Sequence, residues 1–329
     1  MSREVAAPPV RMRLRSAARW TEYAHLRFTG RDPDKPRLDK TRTAALIESL
    51  GVRGPKVHGF FERIEDVDFD ALPDRFVLKP TELNGGRGVM LLERLRPPLW
   101  DRLRGAAPAE AGPRFLETRS GRELGVAEIV AEQTEWARLF REKRKRPLHF
   151  IVEDMIEPDT SRLRRPREYK VYAFAGDLGF IVQYDRSLDP PAAAFFDGAF
   201  RPIRDSEGKV TRGKKTQRGK HVTPKCAAEI LDGAARISAA LATPFVRVDY
   251  FAGREGAVLG ELTVAAGGPY WGTMYKFSDA FDLEMGGRWT AALGRLGRPA
   301  PLYDERWNAE RRRTSGLPVK LKAPAPVEG

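Results

Sequence analysis

The sequence predicts an α+β protein built on antiparallel sheets, and three observations carry that prediction. Apolar strand segments come in pairs with short Gly-containing turns between them, as in Glu168–Ala175 with Leu178–Tyr184 and Phe245–Phe251 with Val258–Thr263. Among these pairs lie segments whose apolar residues recur at helical spacing: Asp39–Leu50, Glu123–Lys143 and Thr223–Leu241. Finally, 329 residues suffice for about two domains with real cores.

Taken in order, residues 1–37 are rich in Arg, Pro and small residues and predict a poorly packed arm and a helix, the helix at an amphipathic piece around Ala17–Phe28. Asp39 is a plausible N-cap and Gly51 a stop for the helix between them. Pro55–Phe61 reads as a short strand. Phe76–Pro80 is a strand ending in Lys79, followed by a connection holding Gly85, Gly86 and Gly88, and then by the strand Val89–Leu92. Three glycines this close permit unusual dihedrals and bare amides that can face an anion. The lysine precedes the glycines and no helix follows directly, so this is neither a Walker loop nor the dinucleotide fingerprint. By itself the stretch reads equally as a plain flexible hairpin.

Residues 93–120 predict an exposed excursion, and His149–Ile156 a buried strand that turns acidic at Glu153 and Asp154. Arg201–His221, basic and without hydrophobic periodicity, predicts a mobile loop. Thr223 and Pro224 read as N-cap and first turn of the next helix, Val264–Gly272 as a glycine-rich turn, and Asp282–Leu296 as a helix. The expected division is an N-terminal arm and helix-strand region at 1–75, a central subdomain with the glycine-rich lid at 76–157, a C-terminal subdomain with the carboxylate strands at 158–300, and a partly disordered tail at 301–329.

Composition narrows the partners. The formal charge is +13, gathered in clusters at Arg11–Arg19, Arg138–Arg146, Arg162–Arg167, Arg201–Lys220 and Arg311–Arg313. Such a field attracts polyanions, among them glycans, membrane surfaces and nucleotide phosphates, but charge does not choose among them. Nucleic-acid motifs are missing, so no nucleic-acid partner is expected. No apolar run reaches membrane-spanning length and the N-terminus lacks a secretory apolar centre, which predicts a cytoplasmic protein and leaves peripheral membrane contact open. Cys226 is the only cysteine, which excludes an internal disulfide and a thiolate zinc cluster. His25, His58, His149 and His221 show no metal-ligand spacing.

The anomaly lies in the last strand pair. Asp249 and Glu261 sit in strands that would otherwise be apolar, and buried carboxylates facing each other repel unless a cation stands between them. Magnesium fits that description, since it takes hard oxygen ligands and is commonly shared between one or two carboxylates and substrate phosphates; the implied partner is a nucleoside triphosphate. The competing reading is an ordinary ion pair between Asp249 and Arg247.

Asp39-Lys40 opening a helix, Asp68-Phe-Asp-Ala-Leu-Pro-Asp-Arg-Phe-Val-Leu-Lys79 before a glycine loop, the acidic hinge at Glu153, Glu168-Tyr-Lys-Val-Tyr-Ala-Phe-Ala-Gly176, Arg247-Val-Asp-Tyr-Phe251 and Gly260-Glu-Leu-Thr263 occur in a characteristic order. Together, from about residue 39 to 290, they resemble the ATP-grasp superfamily and specifically its TupA-like branch, related to teichuronopeptide biosynthesis; Asp39-Lys40 and the Arg247 strand also resemble D-alanyl-D-alanine ligases. The resemblance implies an ATP-grasp fold, with two α+β subdomains gripping ATP between antiparallel sheets. It assigns Lys40, Lys79 and Lys170 to nucleotide contacts, Gly85, Gly86 and Gly88 to a phosphate lid, and Glu153, Asp154, Met155 and Ile156 to the adenine hinge. Glu157 or Glu168 would bind ribose, and Asp249, Glu261 and Thr263 would bind Mg2+. Thr263 stands where related ligases usually have Asn, which weakens the expectation for a second metal.

Arg247, with Lys79, would stabilise charge during catalysis. The implied chemistry is ATP-dependent carboxylate–amine ligation through an acyl phosphate, in the biosynthesis or decoration of a cell-surface polysaccharide or peptide-glycan polymer, with an anionic glycan as a candidate acceptor. A phosphotransferase and a catalytically decayed basic binding protein are the alternatives, because fold does not fix function.

Overall fold

The computed structural model describes residues 14–32, 46–83, 85–96, 112–163, 165–308 and 310. The elements run, in chain order, β1 (Leu14–Ser16), α1 (Trp20–Phe28), β2 (Val57–Phe61), β3 (Arg75–Pro80), β4 (Met90–Arg94), β5 (Arg114–Glu117), β6 (Arg122–Gly125), α2 (Val126–Arg144) and β7 (Phe150–Asp154). After these come β8 (Glu168–Phe174), β9 (Asp177–Asp185), β10 (Ala192–Asp197), β11 (Pro202–Ile203), β12 (Val210–Arg212), β13 (Gln217–Arg218) and α3 (Ala227–Ala240). The chain then continues through β14 (Val246–Gly253), β15 (Gly256–Thr263), α4 (Gly268–Trp271), β16 (Tyr275–Phe277), α5 (Asp279–Arg295) and β17 (Leu302–Asp304).

These elements fall into two compact units. The inner one is Pro55–Met155, and the outer one joins the described residues up to Gly54 with those from Ile156 to 310. The inner unit is an antiparallel sheet in the order β2-β7-β3-β4-β5-β6. One face of that sheet is apolar: Phe76, Leu78, Leu92, Phe115, Phe150 and Val152 pack with Ile129, Trp136 and Phe140 of α2. Strand alternation sends the intervening residues, Val77 and Lys79 on β3 and Ile151 and Glu153 on β7, to the other face.

In the outer unit the large sheet runs β11-β10-β9-β8-β14-β15, with β13 alongside β10. It is covered on both faces. Val171, Ala173, Val246, Val248 and Tyr250 pack against Ile230, Ala234 and Ile237 of α3. Tyr172, Phe174, Phe180 and Phe245 pack on the opposite face against Trp20 and Tyr23 of α1 and Trp289 of α5.

Several expectations are corrected here. The helix expected around Ala17–Phe28 is present as α1, but it is not loosely packed: it is central to the outer core, with Trp20, Glu22, His25 and Arg27 wholly buried. Within the segment expected as a partly disordered tail, residues 302–304 form β17, which pairs with β1, and Tyr303 is buried between them and α1; the chain beyond 310 lies outside the described residues. Arg201–His221 is not a structureless loop; it forms β11, β12 and β13, held by backbone bonds to Phe195, Phe277 and Ala193 and by Arg212 to Asp205. Strands this short carry too few residues to show a period, which is why the sequence pattern is silent there. The excursion at 93–120 supplies β5, Glu123 and Leu124 belong to β6, and α2 begins at Val126, because the hairpin partner of β5 takes these residues first. Cys226, and not Thr223, precedes the first turn of α3. Of the predicted helix at Asp39–Leu50, residues 46–49 are helical, while Asp39 and Lys40 lie outside the described residues, as do Asn84 and the chain beyond 310.

Candidate functional site

In the outer unit, the sheet face that carries Tyr172 and Phe245 turns polar toward one end of β8 and β14. Register sets this up: Asp249 is opposite Lys170 on β8 and opposite Glu261 on β15, and Arg247 is opposite Thr263. Four adjacent positions thus bring both signs together. Asp249 is only 1% exposed, so it cannot be left unpaired. Arg247 grips it with a two-pronged contact, Nε to Oδ1 at 2.6 Å and Nη2 to Oδ2 at 2.6 Å. The same Nη2 donates to Thr263 Oγ1 at 3.0 Å and lies 3.9 Å from Glu261 Oε2. Lys170 Nζ also bonds Asp249 Oδ2 and reaches Glu168 Oε1 at 2.5 Å, and Arg186 Nε holds the other Glu168 oxygen at 2.9 Å.

The result is an alternating chain of charges across three strands and the turn after β9: Arg186, Glu168, Lys170, Asp249, Arg247 and Glu261. Burial would push Glu168 up, but Lys170 and Arg186 overcome it and hold the carboxyl at about 2. Burial likewise opposes the charge on Arg247, yet Asp249 fixes its proton well above the usual arginine value. Glu261 moves the other way: partial burial and the neighbouring Asp249 charge raise it above the ordinary carboxylate range, although 59% of its side chain is open to solvent, which moderates the effect. Burial takes the Tyr172 hydroxyl, which shares a 2.6 Å hydrogen bond with Tyr275 beside Arg247, up to about 12, so it stays protonated at neutral pH.

The three residues assigned to magnesium therefore do converge, and they converge on a cation. Their oxygens are hard donors gathered around one guanidinium nitrogen, the donor chemistry a divalent ion of this kind requires. Among the described residues no group of three or more His, Cys, Asp or Glu is placed to hold a metal unaided. The competing reading of Asp249, an ion pair with Arg247, is what the geometry shows, and the register also sets Asp249 opposite Glu261.

Arg27 steadies this end of the sheet. Its Nη1 donates to Phe245 O at 2.8 Å and Val264 O at 2.5 Å, tying α1 to the start of β14 and the end of β15 while the guanidinium lies 4.5 Å from the Trp289 ring. No sequence signal marks that residue. Arg186 was also missed; it lies in the turn just after β9, where strand alternation no longer applies.

In the inner unit, Lys79 Nζ meets Glu153 Oε2 at 2.5 Å on the sheet face away from the core, with side-chain exposures of 26% and 12%. Asp154 is bonded by His58 at 2.6 Å, and Met155 Sδ accepts from Arg75 at 3.5 Å. The lid glycines all have left-handed backbones: φ is +71° at Gly85, +73° at Gly86 and +68° at Gly88. Gly88 is also forced sterically, since a Cβ there would come 2.6 Å from Pro80 Cγ. Arg119 pins the turn through Gly86 O at 3.0 Å and Val89 O at 2.7 Å, and Gln133 of α2 holds Gly88 O at 2.9 Å. In the outer unit, Ile156 lies against Gly253, and Glu157 is paired with Arg254 at 2.7 Å.

The TupA-like ATPgrasp family model matches residues 126–290, just over half of the chain. The chain belongs to that family. Its mixed α+β fold with antiparallel sheets is accordingly an ATP-grasp fold. Among solved structures, the ATP-grasp ligase PsnB complexed with a minimal precursor is 13% identical, with a TM-score of 0.38 over 75% of this chain and 57% of that one. The D-alanine-D-alanine ligase of Helicobacter pylori is 13% identical, with a TM-score of 0.43 over 80% of this chain and 66% of that one. The L-amino acid ligase of Bacillus licheniformis is 14% identical, with a TM-score of 0.36 over 70% and 41%. This TupA-like chain thus spans a little more than half the length of PsnB. No curated protein matches its sequence. No described helix is long and apolar enough to cross a membrane.

Proposed function

We propose that this TupA-like chain is an ATP-dependent carboxylate–amine ligase that activates its acid as an acyl phosphate. The observation that carries the reading is the convergence of Asp249, Glu261 and Thr263 on the Arg247 guanidinium, inside the segment matched to the family. Asp249 and Glu261, with the Thr263 hydroxyl, are the residues that would hold magnesium, which when bound neutralises charge on the transferring phosphoryl group.

In the first step a carboxylate oxygen of the acid forms a bond to the γ-phosphorus of ATP, the bond to the bridging oxygen breaks, and ADP leaves. In the second the amine nitrogen attacks the acyl carbon, the carbon–oxygen bond to phosphate breaks, and loss of an amine proton gives the amide. No protein nucleophile is needed. Arg247 offers its fork of donors to the oxygens that gain charge in both steps. Lys79 and Lys40 are assigned to the nucleotide phosphates, with Gly85, Gly86 and Gly88 as the lid and residues 153–156 as the adenine hinge. Glu157 or Glu168 is assigned to ribose; each carries cationic partners, Arg254 for Glu157 and Lys170 with Arg186 for Glu168.

The strongly basic chain, at +13, suits an anionic acceptor, and we place the reaction in the cytoplasmic assembly or decoration of a cell-surface polysaccharide or peptide-glycan polymer. Incubation with ATP, magnesium, candidate acids and hydroxylamine tests the mechanism, since hydroxylamine intercepts acyl phosphates as hydroxamates. Hydroxamate formation dependent on acid and ATP is the expected result. A phosphorylated acceptor stable to hydroxylamine would replace the ligase with a phosphotransferase.

A further inference from the structure

The residues that would hold the metal are already satisfied by protein cations. Asp249, 1% exposed, has both oxygens engaged by Arg247, and Oδ2 is shared with Lys170. The Arg247 atom at the centre, Nη2, is the one that also bonds Thr263 and lies nearest Glu261. On this face Glu168, Asp249 and Glu261 are balanced by Lys170, Arg186 and Arg247. A bare divalent ion entering that array would add two positive charges beside Arg247 and Lys170, and would have to break a buried two-pronged pair to reach Asp249. A nucleotide changes the balance, because its phosphate oxygens give a displaced guanidinium new acceptors of matching geometry.

We propose that Arg247 is the resident counter-cation of the metal site, holding the place of the divalent ion in the nucleotide-free chain, so that the ion enters only together with a nucleotide. This inference rests on the metal assignment within the ligase reading. It adds an order of events: neither metal alone nor an apo-site preloaded with metal is on the path, and Arg247 passes from the carboxylates to the phosphoryl oxygens as the nucleotide complex arrives. Lys170 stays behind as the partner that keeps Asp249 from standing alone when Arg247 leaves.

The test uses the full chain, Mn2+ as the probe ion, and electron paramagnetic resonance of free Mn2+, with and without the non-hydrolysable analogue adenylyl imidodiphosphate; because the analogue's phosphates bind Mn2+ themselves, uptake by the protein is the loss of free Mn2+ beyond that caused by the same concentration of analogue alone. Without the analogue, the native chain is expected to bind Mn2+ about tenfold or more weakly than Arg247→Met, the cost of breaking one charged two-pronged pair. Adding the analogue is expected to close or reverse that gap. Arg247→Lys keeps the charge and loses the fork; it should bind Mn2+ alone more tightly than the native chain and less tightly than Arg247→Met, and it carries the comparison if the Met variant does not fold. Native uptake of Mn2+ without the analogue as tight as in either variant overturns the counter-cation role while leaving the metal assignment intact. Absence of Mn2+ uptake by every form even with the analogue overturns the metal assignment itself, and the inference with it.

Discussion

Lys79 and Glu153 illustrate what a single residue does in two states of the site. The direction of Lys79 is set by β3 and the following Pro80, and its charge is satisfied by Glu153 at 2.5 Å. Lys79→Met therefore has two expected effects. ATP affinity, read by calorimetric titration, should fall by roughly tenfold to a hundredfold, or about 1.5–3 kcal/mol for a lost charged contact. Stability should also fall, by about 1 kcal/mol, because Glu153 at 12% exposure loses its partner. Unchanged ATP affinity would remove the phosphate role of Lys79.

A second residue, Glu168, makes stability depend on pH. Its folded value, about 2, lies below that of an unfolded glutamate, so its contribution is complete above about 4.5 and is lost as pH falls from there toward 2. Glu168→Gln should destabilise the chain by roughly 3 kcal/mol at neutral pH and flatten that acid slope, as followed by urea unfolding between pH 3 and pH 7, roughly spanning the transition. An acid slope as steep as in the native chain would show that other carboxylates carry it.

At the scale of elements, the lid is a turn whose shape comes partly from its glycines and partly from its anchors. Gly85 and Gly88 both have positive φ, so alanine at either costs about 1–2 kcal/mol of backbone strain. Only Gly88 has no room for a side chain, with Pro80 Cγ 2.6 Å from where its Cβ would be, while nothing lies within 4 Å at Gly85. Gly88→Ala is expected to destabilise the chain clearly more than Gly85→Ala in chemical denaturation; equal losses would mean that Pro80 gives way. The basic segment 201–220 yields an element-scale test as well. Its strands are paired to β10 and β16, so trypsin should not prefer its many Lys and Arg residues in the ligand-free chain. Rapid cleavage there would return the segment to a mobile loop.

For the outer unit as a whole, the two described ends of the chain are one structure. Ala17 N donates to Pro301 O at 2.9 Å, β1 pairs with β17, and Tyr303, wholly buried, meets the His25 ring of α1 and the Trp307 ring. Tyr303→Ala should cost roughly 3–5 kcal/mol, as truncation of a large buried aromatic does, and the loss should be visible as a lowered Tm. A variant as stable as the native chain would show that β17 is not part of the cooperative unit.

Much of this was legible in the sequence, and the physical reason is periodicity. The hairpins β8–β9 and β14–β15 and the helices α2 and α3 repeat apolar residues at strand or helix spacing, and Asp249 and Glu261 stand out because carboxylates break that pattern. That Arg247, Asp249 and Thr263 share one face follows from their alternate positions on the paired strands once the register is known. What the sequence could not supply was partnership across distant segments. That Arg247 and Lys170 jointly satisfy Asp249, that Arg186 completes the chain of charges, and that Arg119 fastens the lid depend on registers and turns joining segments far apart in sequence. The same holds for α1, whose buried His25 and Arg27 look like surface residues until Tyr270 and the carbonyls of Phe245 and Val264 are brought to them. Periodicity is written locally and can be read locally; the pairing of buried charges is decided only when the sheet closes around them, because burial is what makes a partner obligatory.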